Sequence, residues 1–168
     1  MNSSATQTEP KRIRSVEVLA VAAGERKTSP LPYAGDVTPQ EAFAYLQSFG
    51  DGVLVDVRTI PEWQFVGEAD LAATGSRGLK ISWKQYPNFA LNPDFVAQIE
   101  RENVTPETPL FFICRSGGRS LDAANHMAQQ GFRYCFNVLD GFEGEPDTSG
   151  HRGTAGGWKA SGLPWKQG

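Results

Sequence analysis

Cysteine and histidine are scarce: the chain has two of each in 168 residues. Two cysteines, Cys114 and Cys135, are too few for a disulfide scaffold or a Cys-rich tetrahedral zinc site. No pair of histidines, and no histidine with carboxylates, falls at metal-ligand spacing, so neither a metal nor a cofactor is expected. Long apolar runs are also missing. The longest near the amino terminus, Val16 to Ala23, is interrupted by Glu17. It runs into Gly24-Glu25-Arg26-Lys27, where a signal peptide would end in small residues. No stretch approaches the roughly 18 apolar residues of a spanning helix, so no membrane partner is expected. A reducing, cytoplasmic setting is the expectation. Charge of one sign is lacking too: 16 Lys+Arg stand against 19 Asp+Glu, a net charge of −3. No global basic field draws the chain to nucleic acid. The short basic cluster Lys11-Arg12-Arg14 lies in a polar segment and reads as solvated.

What is present suits one globular domain. Apolar residues make up 39% of the chain, enough for a sizeable core at this length. Residues 1–32 are polar and end in Pro30-Leu31-Pro32. They read as a mobile amino-terminal tail carrying at most a short strand over 15–21. Residues 33–168 form the folded domain in this reading.

The domain opens on a helix-start signal, the capping box Thr38-Pro39-Gln40-Glu41, with Ala42, Leu46 and Phe49 on one face and Gly50 as the stop. The run 53–57 (Val-Leu-Val-Asp-Val) suits a strand covered on both faces. A helical turn over 61–66, a strand over 79–82 and a helix after Asn92-Pro93-Asp94, burying Phe95, Val96 and Ile99, follow. A strand over 110–113 leads into a helix over 120–130, with Leu121, Ala124, Met127 and Ala128 inward and Gly131 at its end. A strand over 134–138 and a helical turn near Gly156-Gly157-Trp158-Lys159 complete the pattern. Strands alternating with helices specify an α/β fold with a central, mainly parallel four- to five-stranded sheet and helices on both faces.

In such sheets ligands bind beyond the carboxyl ends of the strands. One junction there carries chemistry: Cys114-Arg115-Ser116-Gly117-Gly118-Arg119-Ser120. The cysteine ends an apolar strand, and a helix begins about five residues later. The two glycines let the backbone curl so that successive N–H groups point at the sulfur. The helix N-terminus and two arginines add positive charge, and each contribution favours thiolate over thiol. An exposed nucleophilic sulfur in an anion-binding cradle is the expectation, with Cys114 catalytic and residues 115–120 binding substrate. Cys135, mid-strand between Tyr134 and Phe136, reads as core. A Cys114–Cys135 disulfide is the redox alternative and requires the two strand positions to approach closely.

At this loop the sequence resembles the rhodanese family of sulfurtransferases, whose active-site pattern is Cys-Arg-x-Gly-x-Arg. The resemblance extends over about residues 35–165. Asp56-Val57-Arg58 resembles the family's Asp-x-Arg at the end of an early strand, and Glu62-Trp63 its Glu-aromatic pair. Gly67 takes the place of the glycine in its Gly-His-Ile. Leu139-Asp140-Gly141-Phe142, Trp158 and Gly162-Leu163-Pro164-Trp165 resemble its closing elements. Departures are Glu68 where a histidine is usual, a longer connection to Ile81, and an extended segment from Glu145 to Gly157.

The resemblance implies a rhodanese-like domain in which Cys114 accepts a sulfane sulfur as a persulfide and passes it on. Thiosulfate is the family's usual laboratory donor and cyanide its usual acceptor. A protein relay partner is a further expectation. A thiolate already formed needs no general base, and Arg115 or Arg119 is placed to hold departing sulfite. Cysteine-dependent phosphatases keep five residues between Cys and Arg. Four separate Cys114 from Arg119, a smaller ring suited to one sulfur atom. The competing readings are a non-catalytic binding module and a redox sensor. Asp56 and Arg58 are supporting residues, a structural pair or loop anchor. His126 reads as a packing residue. His151 and Glu68 are candidates for the pocket border, and Trp63, Phe65, Trp83 and Tyr86 either wall the pocket or cap the sheet as core residues.

Overall fold

A computed structural model describes residues 15–168. The basic cluster at 11–14 and the mobility expected of the first fourteen residues lie outside them. The strand expected over 15–21 is a helix, α1 (Val16–Glu25), whose first turn is capped by Ser15 accepting from the Val18 N–H. Its β-branched residues suit a strand locally. The chain instead buries Leu19 and Ala23, one turn apart, against the sheet. α1 therefore packs on the domain. Arg26 fixes the exit from α1 through a bidentate pair with Glu41.

The central sheet has five parallel strands in the order β1 (Gly35–Val37), β8 (Cys135–Val138), β7 (Leu110–Ile113), β2 (Val53–Asp56), β4 (Arg77–Lys80). The five-stranded parallel sheet with helices on both faces matches the expected architecture. β1 escaped sequence reading because a three-residue Gly-Asp-Val strand has no periodicity to show. β4 begins two residues earlier than expected, paired along β2 at the sheet edge. Two short antiparallel ribbons flank the sheet: β3 (Glu68–Ala69) with β9 (Trp165–Lys166), and β5 (Lys84–Gln85) with β6 (Ala90–Leu91).

The two cores follow from strand alternation. Leu54, Phe111, Ile113, Phe136 and Val138 face α1, α2 (Pro39–Ser48) and α5 (Gly157–Ala160), where Trp158 is fully buried. Val53, Val55, Leu110, Phe112, Cys114 and Cys135 face α3 (Phe95–Glu100) and α4 (Gly118–Gln129). Each large apolar side chain so buried contributes about 1.5–3 kcal/mol. The capping box of α2 forms as its sequence specifies, with Thr38 Oγ1 accepting from Glu41 N–H and Glu41 accepting from Thr38 N–H. The segment Glu62–Val66 is a single π-helical turn.

α4 differs from expectation in start and face. It begins at Gly118, because Gly117 at φ 113° turns the chain sharply after the cysteine. Its buried positions are Ser120, Ala123, Ala124 and Met127, while Leu121 and Ala128 are only half-buried. The early start rotates a serine inward, over the end of β7.

Candidate active site

The site lies at the carboxyl ends of the three inner strands. β7 delivers Cys114, β2 delivers Asp56 and Arg58, and β8 delivers the loop that braces the cysteine from behind. That brace is backbone to backbone: Phe142 N–H donates to Cys114 O at 2.8 Å, and Glu143 N–H donates to Arg115 O at 3.0 Å. Gly141, at φ 60°, makes this approach possible, since a Cβ there would collide with the carbonyls of Cys114 and Arg115.

Cys114 is 1% exposed, in contrast to the exposed sulfur expected. The loop folds over it. Gly117 N–H donates to its Sγ at 3.1 Å, and Ser120 Oγ stands 3.1 Å from the same atom. The N–H groups of the first turn of α4 have no intrahelical acceptor, which leaves the loop rich in unspent donors.

The two loop arginines have different fates. Arg119 forms a bidentate pair with Glu62, Nη1–Oε2 and Nη2–Oε1 both at 2.9 Å, and both side chains are largely buried. Burial pushes the Glu62 carboxyl up, but hydrogen bonds from Arg119 and Thr59 outweigh it and bring the group down to about 2. Burial likewise opposes the charge on Arg119, and Glu62, with the nearby Cys114 and Asp56, raises it. Arg119 is thus a neutralised strut that ties the loop to the turn after β2. Arg115 is exposed and is the loop cation that faces solvent.

Beside the loop lies a cleft of about 590 Å³ whose wall includes Thr59, Glu62, Tyr86, Phe89, Arg115 and Arg119. Ser116, Gly117 and Gly118 sit in the loop between the two arginines. Tyr86 and Phe89, on the β5–β6 hairpin, are 61% and 49% exposed and form an apolar rim. Phe89 carried no sequence signal, and its role in the wall comes from the hairpin alone.

Asp56 and Arg58 are a buried pair beneath the site. Arg58 Nε lies 2.9 Å from Asp56 Oδ1 and Nη2 2.7 Å from Oδ2, and Nη2 also donates to Gly67 O. The guanidinium stacks over Phe142 at 4.4 Å, so the pair anchors the braces on both sides of the cysteine loop. Glu68 pairs with Lys80 at 3.1 Å in a separate groove, and His151 is exposed on the Asp147 loop. His126 packs against Trp83, which itself meets Phe95 edge to face.

Cys135 faces Leu110 in the β7–β8 register, four residues before Cys114 along β7. At about 3.3 Å per residue the two cysteines are roughly 13 Å apart, which excludes a disulfide in this fold. Burial pushes the Cys135 thiol up to about 12.

A five-stranded parallel sheet with helices on both faces, carrying a buried cysteine between a strand end and a helix N-terminus, defines an α/β protein whose candidate site lies at the strand ends. The sequence model of the rhodanese-like domain matches residues 38–144, more than half of the chain, and the chain belongs to that family. An uncharacterized protein of Rickettsia rickettsii, the RP600 homolog, is 37% identical over 131 residues, covering 78% of this chain and 96% of that one. The crystal structure of Rv0390 from M. tuberculosis superposes with a TM-score of 0.74 at 44% identity, over 81% of this chain and 99% of that one. The polysulfide-sulfur transferase homodimer from Wolinella succinogenes shares the fold at 18% identity and a TM-score of 0.55, over 90% of this chain and 87% of that one.

Among the described residues no helix is long and apolar enough to cross a membrane.

Proposed function

We propose that the protein is a sulfurtransferase that moves a sulfane sulfur from a donor such as thiosulfate to a thiophilic acceptor such as cyanide or a thiol. The observation that carries this reading is Cys114 Sγ enclosed beside the N-terminus of α4 and accepting from Gly117 N–H at 3.1 Å, with the cation Arg115 at the adjoining cleft. In the first step the Cys114 thiolate attacks the outer sulfur of thiosulfate. A new S–S bond forms, the thiosulfate S–S bond breaks, and sulfite leaves with the bonding electron pair. Arg115 is the group placed to stabilise that dianion. In the second step the acceptor attacks the outer sulfur of the persulfide, and Cys114 leaves as thiolate. No oxidant is consumed, and no general base is needed once the thiolate exists.

The burial of Cys114 suits a persulfide carrier. Adding one sulfur extends the side chain by about 2 Å, which carries the transferable atom beyond the enclosed Sγ. The aromatic rim of Tyr86 and Phe89 favours an organic thiol or a protein relay partner as acceptor over a bare inorganic ion.

Intact mass measured on the reduced protein after brief exposure to thiosulfate, and separately to polysulfide, tests the reading. One added sulfur atom is expected, discharged by cyanide and absent from Cys114→Ser. No adduct with either donor would overturn the enzymatic reading and leave a binding module.

A further inference from the structure

Behind Cys114 runs a chain of buried polar side chains that the sulfur-transfer mechanism does not use. Ser120 Oγ, 3.1 Å from the sulfur, lies 2.6 Å from Asn137 Oδ1. Asn137 Nδ2 donates to Asp36 Oδ1 at 3.1 Å. The other oxygen of Asp36 accepts from Tyr33 O–H at 2.9 Å, Thr28 N–H at 2.7 Å and Thr28 Oγ1 at 3.0 Å. Asp36 and Ser120 are fully buried, and Asn137 is nearly so. The chain joins β1, β8 and α4, three elements that meet only through the fold.

The donors and acceptors fix the direction of every bond. A carboxylate has only acceptors to offer, so Asn137 must turn its NH₂ toward Asp36 and its carbonyl toward Ser120. The single hydroxyl proton of Ser120 then goes to Asn137. What Ser120 shows the sulfur is a lone pair, which can accept from a Cys114 S–H and repels a thiolate.

We propose that Asn137 and Asp36 are positioning residues that hold the Ser120 hydroxyl turned away from Cys114, so that Ser120 makes the sulfur more basic, against the pull of the loop. The proposal rests on Cys114 being the nucleophile. A more basic thiolate is intrinsically more reactive, with a Brønsted coefficient of about 0.4–0.5, and it is a poorer leaving group. The chain therefore raises the intrinsic nucleophilic power of the thiolate and slows its departure from the persulfide.

The charged and titratable groups around the sulfur are Arg115 and Arg119 on its loop, Glu62 from the turn after β2, and the Asp56–Arg58 pair at the end of β2. Asp140 and Glu143 follow β8, His126 lies further along α4, and Asp36 and Tyr33 end the chain itself. All of them remain in the variants that test the chain.

The test is the pH profile of alkylation of Cys114 by iodoacetamide in the native full chain, for wild type, Asn137→Leu and Ser120→Ala. Asn137→Leu frees the Ser120 proton to turn to the sulfur. The alkylation midpoint is expected to fall by about one pH unit and the high-pH plateau rate by about threefold. Ser120→Ala removes the repelling lone pair, and its midpoint is also expected to fall. Ser120→Thr keeps the hydroxyl and is expected to keep the wild-type midpoint. A hydroxyl that instead donates to the thiolate would make Ser120→Ala raise the midpoint, and that result, or no change, overturns the proposal. Should Asn137→Leu fail to fold by circular dichroism, Ser120→Ala decides alone through the sign of its shift. Alkylation needs no sulfur donor, so failure of the persulfide assay and failure of this test are separate results.

Discussion

Glu62 and Arg119, 57 residues apart in the chain, face each other through two parallel hydrogen bonds of 2.9 Å. The pair closes one side of the cysteine loop. It also takes one of the two loop cations out of play and leaves Arg115 as the exposed one.

The Glu62 carboxyl lies at about 2 in the folded protein against an ordinary value of 4.5. Its charged form therefore contributes stability that is complete above about pH 4.5 and is lost as the pH falls toward 2. In Glu62→Gln that contribution is absent at all pH values. Urea unfolding is expected to show the variant less stable than wild type at pH 7, with the gap closing as the pH is lowered through this window. A gap that stays constant with pH would contradict the assignment.

Arg115→Ala is expected to raise the KM for thiosulfate by about tenfold while leaving the alkylation plateau of Cys114 near wild type, since a charge-assisted contact of about 1.5 kcal/mol is lost. Steady-state kinetics with thiosulfate and cyanide measure it. An equal loss from an uncharged organic persulfide donor would show that the arginine does more than hold the anion.

Cys135, with its thiol raised to about 12 by burial, is inert at neutral pH in the native state. Iodoacetamide followed by peptide mass mapping is expected to label Cys114 in the native protein and both cysteines in urea. Native labelling of Cys135 at a comparable rate would mean that the second core opens readily.

Gly141 lies where a Cβ would meet the backbone carbonyls of Cys114 and Arg115. Gly141→Ala is expected to cost about 2 kcal/mol or more, lowering Tm by roughly 4–8 °C. Gly141→Asn, which tolerates positive φ, is expected to give little rescue because the collision persists. Thermal melts of both variants, read beside the rate of persulfide formation, separate strain from close approach. Full rescue by asparagine would assign the effect to φ alone.

Much of this molecule is written locally. The Thr38–Glu41 capping box needs only four consecutive residues, and it forms as read. The apolar runs that became β2, β7 and β8 alternate between two cores because successive side chains on a strand point to opposite faces. The cysteine loop is likewise local in that its glycines and the helix that follows are consecutive, but nothing in those residues shows that Cys114 is buried. α1 departs from its local propensity: its β-branched residues favour a strand, whereas the burial of Leu19 and Ala23 against the sheet selects the helix.

The tertiary structure alone decided how the loop is used. Pairing Arg119 with Glu62, bracing Cys114 O with Phe142 and setting Asn137 between Ser120 and Asp36 all join residues distant in sequence. The same register that lays β8 beside β7 keeps Cys135 away from Cys114 and removes the disulfide reading. Spacing along the chain specifies which groups can surround the sulfur. Which of them spend their protons and charges on each other, and which remain for a substrate, depends on contacts that exist only once the sheet has brought its strand ends together.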